Sequence, residues 1–242
     1  MTQFLSKKAI PANERLIFAL DVPTVADAKK LIDTLGDAVV FYKIGLELFM
    51  TGEYYDLIDY LKARGKKVFA DLKFFDVPQT VASAVKQLNH RQVDFVTVHG
   101  NHSILEAAAQ AKSGHLKVLG VTVLTSLDQG DLNDLGFQCD IETLVLSRAK
   151  RTLETGCDGI IASGLEAPAI RAHVDEKLLV ITPGIRPVEN KPVDDQKRTV
   201  DVKQAFLNGA DYIVVGRPIK NAVDPKQAAT AIQATIAEIF AE

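Results

Sequence analysis

Leu16-Ile17-Phe18-Ala19-Leu20-Asp21-Val22-Pro23 is the stretch that decides the fold. Its first five residues form a short apolar run of the kind that makes a buried strand. A doubly wound open sheet would follow its first strand with a glycine-rich turn, whereas here an aspartate and a proline follow. Outward from this point the same rhythm repeats. Further strand-like runs are Val39-Val40-Phe41-Tyr42, Lys67-Val68-Phe69-Ala70, Phe95-Val96-Thr97-Val98, Val118-Leu119-Gly120-Val121-Thr122-Val123, Gly159-Ile160-Ile161-Ala162, Leu178-Leu179-Val180-Ile181 and Tyr212-Ile213-Val214-Val215. Between them lie amphipathic segments such as 25–35 and 141–153, with apolar residues three and four apart as helices packed on a sheet require. Eight such units predict an α/β protein, a (β/α)8 TIM barrel formed by one catalytic domain over residues 1–242.

Composition agrees with that size and class. The chain has 242 residues, 47% hydrophobic and 24% charged, which is ordinary for a globular domain large enough to fold without disulfide or metal. A formal net charge of -3 and the lack of a basic stripe argue against nucleic acid as a partner. Cys139 and Cys157 are too far apart for a Cys-x-x-Cys pair and read as buried, reduced thiols. The opening MTQFLSKKAIPANER lacks the apolar run of a secretion signal, and no later stretch is long enough for a bilayer, so a cytoplasmic enzyme with no membrane partner is expected.

Barrel enzymes place their chemistry where strands end and βα loops begin. The first strand ends in Asp21, the second in Lys43, and the third runs Phe69-Ala70-Asp71-Leu72-Lys73-Phe74-Phe75-Asp76. Asp71 and Lys73 are two apart, so both side chains leave the strand on one face, here toward the axis. Lys43 on the neighbouring strand can join them, and Asp76 lies close in sequence. A structural salt-bridge cluster is the plainer interpretation of an Asp-x-Lys pair, but three consecutive strands each carry charge at the same end. Across the mouth, the eighth strand ends in Gly216-Arg217-Pro218, offering a close backbone approach, helix-start N–H groups and a guanidinium fork suited to phosphate. The loop after the seventh strand adds Arg186 and, further on, Gln196. That loop, 183–199, is long enough to expect a role as a lid.

Taken together, Asp71-x-Lys73-x-x-Asp76-x-Pro78-x-Thr80 (DLKFFDVPQT), LDVP at Asp21, KIG at Lys43, VLTS ending at Ser126, TPGIRP at Arg186, DQKR at Gln196 and VVGRP at Arg217 resemble the orotidine 5'-phosphate decarboxylases over essentially the whole chain. The resemblance implies a cofactor-free, metal-free decarboxylation of orotidine 5'-monophosphate to uridine 5'-monophosphate in pyrimidine biosynthesis. By the same resemblance Lys73 is the acid that protonates C6 of the pyrimidine, within a charged network of Lys43, Asp71 and Asp76. Asp76 would come from the partner subunit of a homodimer whose active site is shared across the interface. Asp21 and Thr80 would bind ribose hydroxyls and Val77 would touch the ribose end across that interface. Ser126, with Thr125 beside it, would meet the pyrimidine edge, and Gln196, Arg186, Gly216 and Arg217 would hold the phosphate.

One departure is Val98-His99-Gly100-Asn101-His102, where many relatives carry small residues in place of Asn101 and His102. The histidines read as a loop pair near the mouth, since no third histidine or obvious carboxylate joins them as a metal site would need. Two rivals stand beside this function. A magnesium-dependent decarboxylase of sugar phosphates shares the Asp-x-Lys-x-x-Asp pattern but needs further carboxylates, and Lys43 stands where an acid would suit a cation better. A non-catalytic phosphate-binding barrel would have no reason to keep buried charge beside an uncharged ring.

Overall fold

The computed structural model describes residues 4–186 and 198–241. Strands β1 (Leu16–Ala19), β2 (Phe41–Gly45), β3 (Lys67–Phe74), β4 (Phe95–Val98), β5 (Lys117–Val121), β6 (Gly159–Ile161), β7 (Leu179–Thr182) and β8 (Tyr212–Val215) pair in sequence order and close into a barrel. Closure comes from β1, which pairs in parallel with β8 as well as with β2. The outer layer comprises α1 (Val25–Leu35), α2 (Leu46–Phe49), α3 (Tyr54–Lys62), α4 (Pro78–Asn89), α5 (His102–Ala111), α6 (Gln129–Asp134), α7 (Ile141–Glu154), α8 (Ala167–His173), α9 (Val202–Leu207), α10 (Arg217–Lys220) and α11 (Pro225–Ile239). No helix among the described residues is long and apolar enough to cross a membrane.

Local chemistry explains these boundaries. Thr24 caps α1 by accepting the Asp27 N–H, and Asp140 caps α7 by accepting that of Thr143. The buried face of α1 carries Val25, Ala28, Ile32 and Leu35, at the three- and four-residue spacing that the sequence shows. Gly120 on β5 leaves no room for a β carbon, because the Thr152 side chain of α7 already occupies that position. The differences from the expected elements lie at strand ends. β2 begins at Phe41 and runs through Lys43 to Gly45, because a tight helical turn over Gly36–Ala38 delays it and carboxylates inside the barrel receive the lysine. β5 stops at Val121, where the Thr122 hydroxyl turns to donate to the Ile161 carbonyl at 2.6 Å. Of the cysteines, Cys157 is buried and burial pushes its thiol up to about 11, whereas Cys139 is only half-buried.

Two apolar layers hold the barrel. One lies between sheet and helices; the other fills the axis with Ile17, Ala19, Phe41, Phe69, Phe95, Leu119, Leu179, Ile181, Tyr212 and Val214. Phe95 sits at the centre of that inner layer, edge-on to Phe41 at 4.9 Å and to Tyr212 at 5.2 Å between ring centres. This aromatic plug separates two polar ends. At the floor, buried Asp211 accepts hydrogen bonds from Ser6, Lys8, Arg171 and the Val180 N–H, which straps the N-terminal segment across the barrel. At the other end, above Phe69, lie the charges.

Candidate active site

The site originates in an irregularity between β3 and β4. Ala70 pairs with Val96, but the next aligned pair is Phe74 with Val98. Asp71, Leu72 and Lys73 therefore arch over a single residue, Thr97. The two extra residues form an even insertion, so the alternation survives it: Leu72 and Phe74 pack on the outer core while Asp71 and Lys73 face the axis. Making the arch places Lys73 at φ +48°, in the left-handed region, which costs a residue with a β carbon about 1–2 kcal/mol. Such strain persists only where neighbours enforce it.

Four charges alternate along the resulting wall. Lys73 Nζ donates to Asp71 Oδ1 at 2.8 Å, Asp71 Oδ2 lies 3.4 Å from Lys43 Nζ, and Lys43 Nζ donates to Asp21 Oδ1 at 3.2 Å. The Thr97 hydroxyl adds a 2.8 Å hydrogen bond to Asp71 Oδ1. Burial alone would push the Asp71 carboxyl up, but Lys43, Lys73 and the bonds from Lys73 and Thr97 hold it below its ordinary value. Burial likewise opposes the Lys43 ammonium, and Asp71 with Asp21 keeps it above its ordinary value. Asp71 is thus an anion and Lys43 a cation at neutral pH, each fixed by the other.

These groups form one wall of a cavity of about 410 Å³. Gly216, Arg217 and Arg186 line it as well, as do Thr125 and Ser126 from the loop after β5, so most of the residues picked out in the sequence meet in one place. The volume suits a small organic ligand. The helix after Gly216, α10, is a single turn, so anion attraction there rests on local N–H groups and cationic side chains more than on a long helix dipole. Lys220, on that turn, also lines the cavity and donates to the Asp21 carbonyl at 2.7 Å. The sequence reading passed over it, although its place three residues after Arg217 puts both on one helix face. At the root of the long loop, Ile185 bridges Val200, with Arg186 N–H donating to the Val200 carbonyl at 2.9 Å. Buried Arg198 pairs with Glu166 at 2.5 Å and donates to the Leu124 carbonyl, which anchors the loop carrying Thr125 and Ser126.

Other expected residues stand apart from this cavity. Asp76, Val77 and Thr80 are exposed at the start of α4 and do not line it; Asp76 accepts its neighbour Val77's N–H at 2.6 Å. Gln196 and most of 183–199 fall outside the described residues. His99 sits against the Phe75 ring, its pKa lowered by burial and then by Arg148 and Lys73, while His102 begins α5 on the Asn101 cap. Gly100, at φ +130°, makes space for Phe75, whose ring would meet any β carbon there. Among the described residues no three histidine, cysteine or carboxylate side chains converge as a metal site requires.

Comparison with known proteins adds an independent line. Residues 14–232 match the model of the family described as orotidine 5'-phosphate decarboxylase / HUMPS. A protein of Methylococcus capsulatus named orotidine 5'-phosphate decarboxylase is 64% identical over 241 residues, covering 100% of this chain and 99% of its own length. One of the same name from Stenotrophomonas maltophilia is 50% identical, covering 98% of this chain and 99% of its own. The crystal structure of orotidine 5'-phosphate decarboxylase from Lactobacillus acidophilus superposes with a TM-score of 0.81 at 36% identity, over 92% of this chain and 99% of that one.

Proposed function

This chain belongs to the orotidine 5'-phosphate decarboxylase / HUMPS family and decarboxylates orotidine 5'-monophosphate to uridine 5'-monophosphate, and we propose that it does so with Lys73 as the proton donor to C6. What supports the assignment of Lys73 is its ammonium, 2.8 Å from Asp71 and facing the same cavity as Arg217. Loss of carbon dioxide from C6 leaves an electron pair in the ring plane with no adjacent carbonyl to receive it. A fixed positive charge beside that carbon stabilises the carbanion, and the same group can deliver the proton that ends it. Asp71, kept ionised by Lys43, orients Lys73 and would lie near the substrate carboxylate before it leaves. Asp21 faces the ribose, and Thr125 and Ser126 the pyrimidine edge. Arg186, Gly216 and Arg217, with Gln196, take the phosphate, which is remote from the bond that breaks and lends its binding energy to positioning and to exclusion of water.

The direct test follows the orotate chromophore with purified protein, with and without a chelator. Equal loss of absorbance in both arms is expected. Loss abolished by the chelator would overturn the metal-free reading, and no loss in either arm would favour the sugar-phosphate chemistry.

The functional unit, on this reading, is a cytoplasmic homodimer of one-domain chains spanning residues 1–242. Support for the dimer comes from the barrel rim, where the segments that follow β2 and β3 leave Met50 79%, Phe75 70%, Val77 62% and Leu46 59% exposed, much large apolar surface to be left to solvent. The same rim carries Asp76 and Thr80, so a second copy seated there would bring Asp76 of the partner subunit to the Lys73 cluster and Val77 and Thr80 to the ribose. Mixing inactive Asp76→Ala and inactive Lys73→Ala subunits should then restore part of the activity through hybrid dimers. Verified hybrids that stay inactive would overturn the shared site.

A further inference from the structure

We infer that Thr97 is a positioning residue for the decarboxylation, its hydroxyl holding the acid lysine and its carboxylate partner in their reacting arrangement. Thr97 is the one β4 residue spanned by the Asp71–Lys73 arch, and its side chain is fully buried. The arch removes the Lys73 N–H from the regular β3–β4 ladder, and the Thr97 hydroxyl oxygen accepts it instead, at 3.0 Å. The same hydroxyl donates its only proton to Asp71 Oδ1 at 2.8 Å. That oxygen also receives Lys73 Nζ at 2.8 Å. One hydroxyl thus ties the backbone of residue 73 to the carboxylate that aims its side chain, and both ends of the lysine are fixed through it. Beyond Lys73 the ladder resumes with His99 N–H donating to the Phe74 carbonyl at 2.9 Å.

Without the hydroxyl, the left-handed Lys73 backbone loses its hydrogen-bond acceptor and Asp71 loses a neutral donor. Lys73 then samples orientations in which its ammonium points away from the reacting carbon. Ground-state binding is unaffected, because nothing at the phosphate end has changed, and the loss falls on the chemical step.

This inference rests on Lys73 being the acid, and the experiment separates the two. Thr97→Val keeps the shape and removes the hydroxyl; Thr97→Ser keeps the hydroxyl and removes the methyl. Val should lower kcat by about 10- to 100-fold with KM within about twofold, and Ser should stay within about threefold of the parent in both. Should Val not accumulate as folded protein, Thr97→Ala is read by the same split. A variant lacking the hydroxyl that keeps full kcat, or a Ser variant as impaired as Val, would overturn the role of Thr97 alone. Appreciable activity in Lys73→Ala measured alongside would overturn the assignment of the acid itself.

Discussion

Lys73→Ala should fold as the parent does and lose turnover by about 10⁴-fold or more, since it removes both a general acid and a preorganised charge. The fold should survive because the Lys73 side chain is about one-third exposed at the cavity wall and fills no part of the apolar core. Asp71 keeps Lys43 and the Thr97 hydroxyl when Lys73 is truncated, so no bare buried anion is left behind. Alanine keeps the β carbon and with it the left-handed strain, while one ion pair is lost, so the thermal midpoint should stay close to the parent's or fall slightly. Circular dichroism and thermal melts, together with the absorbance assay, check both halves. A variant that retains a tenth of the parent's turnover would remove Lys73 from the chemical step, because no other ammonium in the cluster is free to replace it: Lys43 is committed between two carboxylates.

Arg217→Ala is expected to act on the opposite end of the substrate. Arg217 lines the cavity beside Gly216, on a one-turn helix too short to hold a phosphate by its dipole alone. Charge-assisted bonds to a phosphate are among the stronger polar contacts, so KM should rise by about 10- to 100-fold. Arg186 and Lys220 remain as cations at the same cavity, which is why the phosphate end is weakened rather than abolished. Steady-state kinetics with the nucleotide checks this, and an unchanged KM would refute the clamp. A fall in kcat along with the rise in KM would show that phosphate binding is coupled to the reacting centre.

The barrel was legible because its signal is long-range and repeated: eight apolar runs alternating with amphipathic segments, one of them followed by Asp-Val-Pro where an open sheet would turn on glycine. The facing of Asp71 and Lys73 was legible too, since alternation predicts it and the two-residue insertion does not disturb the phase. The insertion itself left no trace for the same reason. Thr97 was hidden inside Phe95-Val96-Thr97-Val98, where a threonine is ordinary strand composition; its importance arises only from what arches over it. Lys220 has no distinguishing pattern in the sequence, and its place at the cavity follows from α10 being a single turn folded against Asp21. The start of β2 differs from the expected run because Val39 and Val40, though strand-like in composition and extended at Val39, only lead out of the turn over Gly36–Ala38, and paired residues begin at Phe41. Asp76, Val77 and Thr80 stand exposed outside the cavity, and the roles proposed for them require a second subunit.

The central claim, that an ammonium at position 73 delivers the proton to C6, is tested most directly by a crystal structure of the protein with a uridylate analogue. The account predicts Lys73 Nζ within hydrogen-bonding reach of ring carbon six, with the phosphate beside Arg217 and Thr97 still bridging Asp71 and the Lys73 backbone. A bound analogue with that nitrogen turned away from C6, and another group in its place, would contradict it.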